Sequence, residues 1–421
     1  MEKNEISRIA ISMSNSKELF ILLTAAMIYL DTIYIFPDYV DVGEVISICK
    51  HRGLGMLYTA KQKTYKIDSY EMDVNDNNVK VVLFSSGTVK KPKGVMLSSL
   101  SLYNNAYAAY KCLQYSDKDK ILISKPIYYS YCFTIEFLAG ILNGASFYIY
   151  EEMFWPSKID WIIRNKGITV WCTIPTTLKL FIKVIHEYSG VLRILGIGGE
   201  KTTTKLMESA KRYFINTRVV QMYGLAEAGP LVTCLDASYS FGKLNSIGAP
   251  VEGVSIEIRD SNNNIVDKPF QIGELVISSN SIMEGYLFLG SESKGEIRER
   301  KLFTGDLGYY DDEGYYYLCG RTDDVVKVNG RKVYCKEIEL ALLEIRGIEN
   351  AIVICVNGKD SLMRLVAFVQ VEKEIENKEI VHYCVKNKIY VPDEIRQIKQ
   401  LPQSKNGKIS LRKLRELVEK K

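Results

Sequence analysis

The chain has 421 residues, 47% of them apolar and 25% charged, ordinary values that exclude fibrous, collagen-like and disordered classes. At about 150 residues per domain, this length makes two or three domains. Lys and Arg outnumber Asp and Glu by 55 to 50, a net charge of +5. That surplus is too small and too dispersed for a nucleic-acid binder, although a mildly basic surface suits an anionic small molecule. His51, His186 and His382 stand far apart, which argues against a multi-histidine zinc site, and no G-x-S-x-G elbow of a serine hydrolase occurs. Nine cysteines without a C-x-x-C pair read as buried thiols of a reducing, cytoplasmic compartment. The apolar stretch 19–30, closed by Asp31, falls short of the about 20 residues that a bilayer span needs. No targeting or membrane segment is expected.

Along the chain, a strand at 9–11 is followed by a helix at 17–30, a strand at 33–36, a helix at 42–51 and a strand at 55–58. The same rhythm resumes with strands at 121–123, 146–150, 167–173, 191–197 and 218–221, separated by helices at 134–142, 178–186 and 203–213. Such alternation predicts an α/β fold with layered, largely parallel sheets. From about residue 244 the pattern turns to alternating β segments at 255–259, 274–278 and 315–318, with turns at 261–264 and 312–314, as in a small antiparallel subdomain. A mixed α+β pattern closes the chain, with helices at 336–346, 377–388 and from 410, and strands at 351–356 and 362–371. The predicted organisation is a large N-terminal domain over 1–322, with its β subdomain at about 244–322, and a small α+β domain over 323–421.

The most informative segment is the apolar strand 81–84 running abruptly into Ser85-Ser86-Gly87-Thr88-Val89-Lys90-Lys91-Pro92-Lys93-Gly94. Backbone N–H groups of a glycine-containing loop can converge on an anion, hydroxyls add donors, and lysine adds charge. A solvated, lysine-rich turn has the same composition. The loop lacks the G-x-x-x-x-G-K-[ST] spacing of a Walker A motif.

Ser85-Ser86-Gly87-Thr88 with Lys91-Pro92-Lys93-Gly94 resembles the signature loop of the adenylate-forming superfamily: acyl- and aryl-CoA synthetases, peptide-synthetase adenylation domains and luciferases. Four further matches follow in the family's order. Tyr223-Gly224-Leu225-Ala226-Glu227 is similar to the element whose Tyr stacks on adenine and whose Glu helps hold Mg²⁺. Thr304-Gly305-Asp306 is similar to the element whose Asp accepts hydrogen bonds from both ribose hydroxyls. Gly320-Arg321-Thr322-Asp323 resembles the interdomain signature, which makes Arg321 a ribose and phosphate contact and Asp323 the hinge of a mobile C-terminal domain. Pro402-Gln403-Ser404-Lys405-Asn406-Gly407-Lys408 resembles the element carrying a mobile catalytic lysine, here Lys408. Gly198-Gly199-Glu200, as wall of the adenine pocket, and the pairs Gly273-Glu274 and Gly285-Tyr286 are weaker companions.

The resemblance implies two half-reactions. A carboxylate first attacks the α-phosphorus of ATP, and the resulting acyl-adenylate is then passed to a thiol, of CoA or of a carrier-protein phosphopantetheine. Lys93, Ser85, Ser86, Gly87, Thr88 and Gly94 would cradle the phosphates, Mg²⁺ would sit at Glu227, and Lys408 would meet the reacting oxygens. Val89 and Lys90 replace a hydroxyl and a glycine of the family pattern, and Ala226 replaces a Thr, a loss of about 1–2 kcal/mol if one hydrogen bond goes. The first strand comes early, as though an upstream strand and helix were absent, which would leave an edge exposed or imply a partner. Tyr129, in the loop 126–131, falls where amino-acid activators carry an Asp, so an uncharged acyl or aryl acid is expected. Residues 171–175 are further pocket candidates. The alternatives are an amino-acid adenylation protein and a non-catalytic nucleotide-binding homologue.

Overall fold

β-Branched runs too short to bury themselves singly pair into sheets. In a computed structural model, Arg8–Ser12 runs parallel to Thr32–Ile35 on one side and to Met56–Thr59 on the other, so it is not an edge strand. The structure describes residues 7–59, 63–67, 78–85, 93–185, 188, 190, 192–238, 242–288, 291–293, 297–322, 325–328, 331–357, 363–371, 373–402 and 410–419. Two units divide the chain. The first comprises residues 1–202, 206–257 and 276–303, the second 203–205, 258–275 and 304–421.

The first unit contains an eight-stranded and a seven-stranded sheet. The seven-stranded sheet is largely parallel, as expected, with four of its six pairings parallel. The eight-stranded sheet is evenly mixed, which corrects the expectation there. In the eight-stranded sheet a parallel centre continues to Val79–Ser85, and the hairpin partner Lys93–Ser98 and the strand Gly285–Phe288 then run antiparallel. In the seven-stranded sheet Lys120–Ile123, Val170–Thr173, Ile194–Ile197 and Arg218–Tyr223 are parallel, while Thr233–Asp236 turns back antiparallel. A central apolar layer joins facing sides of the two sheets. Ile9, Ile11, Val81 and Leu97 from one meet Ile121, Val170, Cys172 and Val220 from the other across the helices Lys17–Tyr29 and Ser99–Leu113. The outer faces pack on other helices, through Trp171, Phe181 and Phe214 in one case and Tyr34, Phe36 and Val45 in the other. Each fully buried Leu, Ile or Phe contributes roughly 1.5–3 kcal/mol, so these layers rather than helix propensity hold the unit together.

Three local features differ from the sequence reading. The helix expected at 134–142 begins as the π-helix Tyr131–Leu138 and only then becomes α-helical over Ala139–Leu142. The helix Ser99–Leu113 carries six Tyr, Asn and Ser residues among its first nine, which masks its period; Ser98 caps it by accepting from Ser101 N. Cys112 and Cys234 form a disulfide across a separation of 122 residues, which corrects the all-thiol expectation. Six of the remaining cysteines are buried and Cys355 is half-buried.

The second unit has its own apolar core around Ile338, Leu342, Leu365, Ala367, Val369 and Ile380. Its three-stranded sheet pairs Ile348–Asn357 antiparallel to Met363–Val371, which in turn runs parallel to Glu394–Ile398. The helices Cys335–Leu343, Asn377–Lys386 and Leu411–Glu419 belong to this unit. Among the described residues, no helix is long and apolar enough to cross a membrane.

Candidate functional site

Each unit carries a cluster of the residues singled out in the sequence. In the first unit, the strands Val79–Ser85 and Lys93–Ser98 form a hairpin that places Ser85 opposite Lys93 and Phe84 opposite Gly94. The predicted phosphate loop therefore hangs from two well-buried strands. Ser86, Gly87, Thr88, Val89 and Lys90 lie outside the described residues, as do Asp323 and Lys408.

Lys93 is joined to Glu227 by a residue the sequence ranked only as a companion. Strand Gly285–Phe288 sets Tyr286 opposite Val95, two residues from Lys93 on the same face, the diagonal reach of a long side chain. The Lys93 ammonium lies 3.3 Å from the centroid of the Tyr286 ring, and the Tyr286 hydroxyl donates to Glu227 Oε1 at 2.8 Å. A cation on an aromatic face and a charge-assisted hydrogen bond thus run through one buried tyrosine.

The backbone around Glu227 is fixed as well. Met283 N donates to Glu227 O at 2.9 Å. Buried Asn105, on the helix Ser99–Leu113, accepts from Leu231 N at 2.8 Å and donates to Leu231 O at 2.8 Å and Ala228 O at 3.3 Å. No motif marks Asn105; only the tertiary path of the helix reveals it.

Tyr223 ends the strand Arg218–Tyr223 and rests on the apolar cluster of Ala228, Val232, Ile277 and Leu302. Gly224 follows at a point of close approach, where a Cβ would stand 1.6 Å from Pro230 O. Gly198 is buried, and exposed Gly199 and Glu200 follow it. Glu200 Oε2 accepts from Thr176 Oγ1 at 2.6 Å and Thr176 N at 3.1 Å, at the start of the helix Pro175–Val184. That gives Glu200 a capping role that the motif did not suggest. Tyr129 is half-exposed and packs on Tyr128, with ring centroids 4.8 Å apart. Burial, then the neighbouring Tyr39 and Asp38, hold the Tyr129 hydroxyl above its ordinary pKa.

In the second unit, the hairpin formed by Lys301–Tyr310 and Tyr316–Arg321 puts Asp306 opposite Arg321 in register. Arg321 Nη1 donates to Asp306 Oδ1 at 2.7 Å. Thr304 Oγ1 donates to Leu275 O at 2.7 Å and accepts from Asp306 N at 3.0 Å. Glu274, the other weak companion, accepts from Gly305 N at 2.9 Å. Gly305 lies inside the strand Lys301–Tyr310 with φ +70°, a left-handed conformation that favours glycine, and a Cβ there would meet Arg321 Nη2 at 2.8 Å. A carboxylate and a guanidinium held this way suit a diol beside a phosphate.

Among the described residues, no three His, Cys, Asp or Glu side chains converge to hold a metal ion. A single carboxylate such as Glu227 fits magnesium, which keeps several waters and is shared with substrate phosphates.

The family model described as AMP-binding enzyme matches residues 37–287, and that of the AMP-binding enzyme C-terminal domain matches residues 337–408. The 2-succinylbenzoate–CoA ligase of Bacillus licheniformis is 26% identical over 351 residues, 83% of this chain and 71% of that protein. Its counterpart in Oceanobacillus iheyensis is 27% identical over 373 residues, 88% of this chain and 73% of that protein. The o-succinylbenzoate CoA synthetase of Bacillus subtilis, solved with its acyl-adenylate intermediate, superposes with a TM-score of 0.79 at 22% identity. The match covers 97% of this chain and 88% of that one. The same enzyme with ATP and magnesium ion gives a TM-score of 0.79 at 21% identity, over 97% and 89% of the two chains. These structures share the fold.

Proposed function

The chain belongs to the AMP-binding enzyme family, and we propose on that premise that its two clusters serve an ATP-dependent, AMP-forming acid–thiol ligase. The observation that carries this reading is the continuous contact from Lys93 through Tyr286 to Glu227. It ties the lysine of the phosphate loop to the carboxylate of the Tyr-Gly-x-x-Glu element, an arrangement without purpose in a plain surface turn.

Lys93 and the loop 85–94 would bind the phosphates, Tyr223 with Gly224 and Gly198–Glu200 the adenine, and Asp306 with Arg321 the ribose. Magnesium held at Glu227 would neutralise charge on the phosphates. Tyr286 orients the Glu227 carboxylate and keeps the Lys93 ammonium nearby, so a cation and a carboxylate that can hold a second cation are pre-placed where two anions must meet. The carboxylate oxygen attacks the α-phosphorus, the bond to the β-phosphate breaks, and pyrophosphate leaves. After movement about Asp323 withdraws Lys408, a thiol attacks the acyl carbon, its proton passes to solvent, and AMP leaves.

The acid is an aryl or acyl carboxylic acid bordered by Tyr129, and the acceptor is CoA; the 2-succinylbenzoate–CoA ligases named above support an aryl acid and CoA, and their acid carries a second carboxylate rather than an uncharged remainder. One observation favours the amino-acid alternative. The Asp38 carboxylate acts on the hydroxyls of both Tyr128 and Tyr129, where an α-ammonium group could pair.

Pyrophosphate exchange into ATP across panels of aryl, fatty and amino acids separates these readings. Exchange with an aryl or acyl acid, followed by CoA thioester formation, is expected. Exchange with amino acids alone would transfer the assignment to the alternative, and a folded protein that exchanges with no acid would be a binding module. Lys408→Ala is expected to abolish exchange while sparing thioester formation from supplied acyl-adenylate.

A further inference from the structure

Beneath the Tyr129 loop lies a charged pair that the scheme above does not use. Lys125 and Glu136 are among the few ionic side chains buried inside the first unit; they are 9% and 0% exposed. Lys125 Nζ lies 2.8 Å from Glu136 Oε2, donates to Cys172 O at 2.6 Å and sits 4.5 Å from the centroid of the Tyr131 ring. The Lys125 backbone carbonyl accepts from Cys132 Sγ at 3.3 Å and from Asn15 Nδ2 at 2.7 Å, while Asn15 Oδ1 accepts from Ile127 N at 3.0 Å. One residue therefore grips the π-helix Tyr131–Leu138 at two points, Cys132 and Glu136. It also grips the end of the strand Val170–Thr173 and the loop after the first strand.

This arrangement answers a physical need. A π-helix is a disfavoured backbone that persists where surrounding contacts over-determine it, and such segments gather at functional sites. Two opposite charges in a dry interior cost desolvation that a purely packing role would not demand, since apolar side chains of similar volume would pack as well. Burial is the largest influence on the Lys125 ammonium and works against it, but the charges of Glu136, Cys172 and Cys132 and the hydrogen bond to Glu136 together hold its pKa above the ordinary value, while burial pushes the Glu136 carboxyl up. The gripped helix bears directly on the candidate site: Tyr131 Cζ lies 3.4 Å from where a Cβ on Gly198 would stand, and Phe133 N donates to Tyr129 O at 2.9 Å.

We propose that Lys125 and Glu136 are a positioning pair that holds the π-helix in register and, through its hydrogen bond to Tyr129, sets which carboxylic acid the site accepts. The inference rests on the acid-binding reading of Tyr129 given above. It assigns the pair no contact with nucleotide.

The test uses the full chain with Lys125→Met and Glu136→Gln together, which removes both charges at similar volume and leaves no uncompensated ion in the interior. The double variant is expected to keep its cooperative thermal transition, while amides of residues 131–138 exchange hydrogen about tenfold faster than in the parent. With the best acid found for the parent, the acid KM is expected to rise about tenfold and the ranking of acids to flatten, while kcat stays within about twofold. Unchanged protection over 131–138 in the folded double variant would overturn the proposal. So would a loosened helix with an unchanged acid KM, which would leave the pair a purely structural part. A parent protein that supports no pyrophosphate exchange with any acid marks a failure of the functional reading instead, and hydrogen exchange alone then decides whether the pair holds the helix.

Discussion

The two clusters are built in opposite ways. In the ribose-type cluster, Asp306 and Arg321 are 15 residues apart and meet because one hairpin sets them opposite each other. The side chain that steadies Gly305 beside this pair, Glu274, comes from a neighbouring strand of the same unit. In the phosphate-type cluster, Tyr286 reaches Glu227 across 59 residues, and Lys93 arrives from a third segment on another strand. A hairpin needs only its turn and register to form such a pair, whereas the three-segment cluster needs a finished sheet. The first kind of site is encoded locally and tolerates little change at Gly305. The second is encoded by the fold and leans on residues, such as Asn105 and Tyr286, that carry no charge.

Four substitutions probe this contrast, in descending order of expected effect. Glu227→Gln keeps an acceptor for Tyr286 but removes the charge that a magnesium ion needs. Pyrophosphate exchange is expected to fall about 10²–10³-fold with thermal stability intact. Asp306→Asn is expected to raise the KM for ATP about ten- to hundredfold by weakening charge-assisted contacts to ribose. Little of that loss reflects the ion pair itself, because Arg321 is about half exposed and water screens it. Gly305→Ala should destabilise the protein by about 1–3 kcal/mol, seen in denaturant or thermal melts, since a side chain at φ +70° is strained and the Arg321 guanidinium must also shift. Tyr286→Phe retains the ring under Lys93 but loses the hydrogen bond to Glu227. Exchange is expected to drop about three- to tenfold, with a higher magnesium requirement. If Tyr286→Phe proved as damaging as Glu227→Gln, the tyrosine would belong among the reacting groups. If it had no effect, the three-segment cluster would shrink to Glu227 alone.

Most strands and helices of the first unit were legible because a two-residue or 3.6-residue period survives in any well-packed layer. The strand 9–11 and the helix 42–51 reappear as Arg8–Ser12 and Val42–His51. The helix Ser99–Leu113 was not, because its polar first turns hide a buried face of Leu102, Ala106 and Ala109. The antiparallel flanks of both sheets were also hidden, since strand direction depends on which distant segment docks at an edge. Residues 86–92, which the sequence marked most strongly, lie beyond what the structure describes, as does Lys408.

The order and identity of the motif residues, and with them the class of chemistry, were present in the sequence alone. A short motif is a set of neighbours whose spacing no packing can alter. Only the tertiary structure decided that Tyr286 connects Lys93 to Glu227, that Glu200 caps a helix, that Cys112 meets Cys234, and that Lys125 and Glu136 share the interior. These are meetings between residues far apart in the chain, and their energy arises only when the layers that bury them have closed.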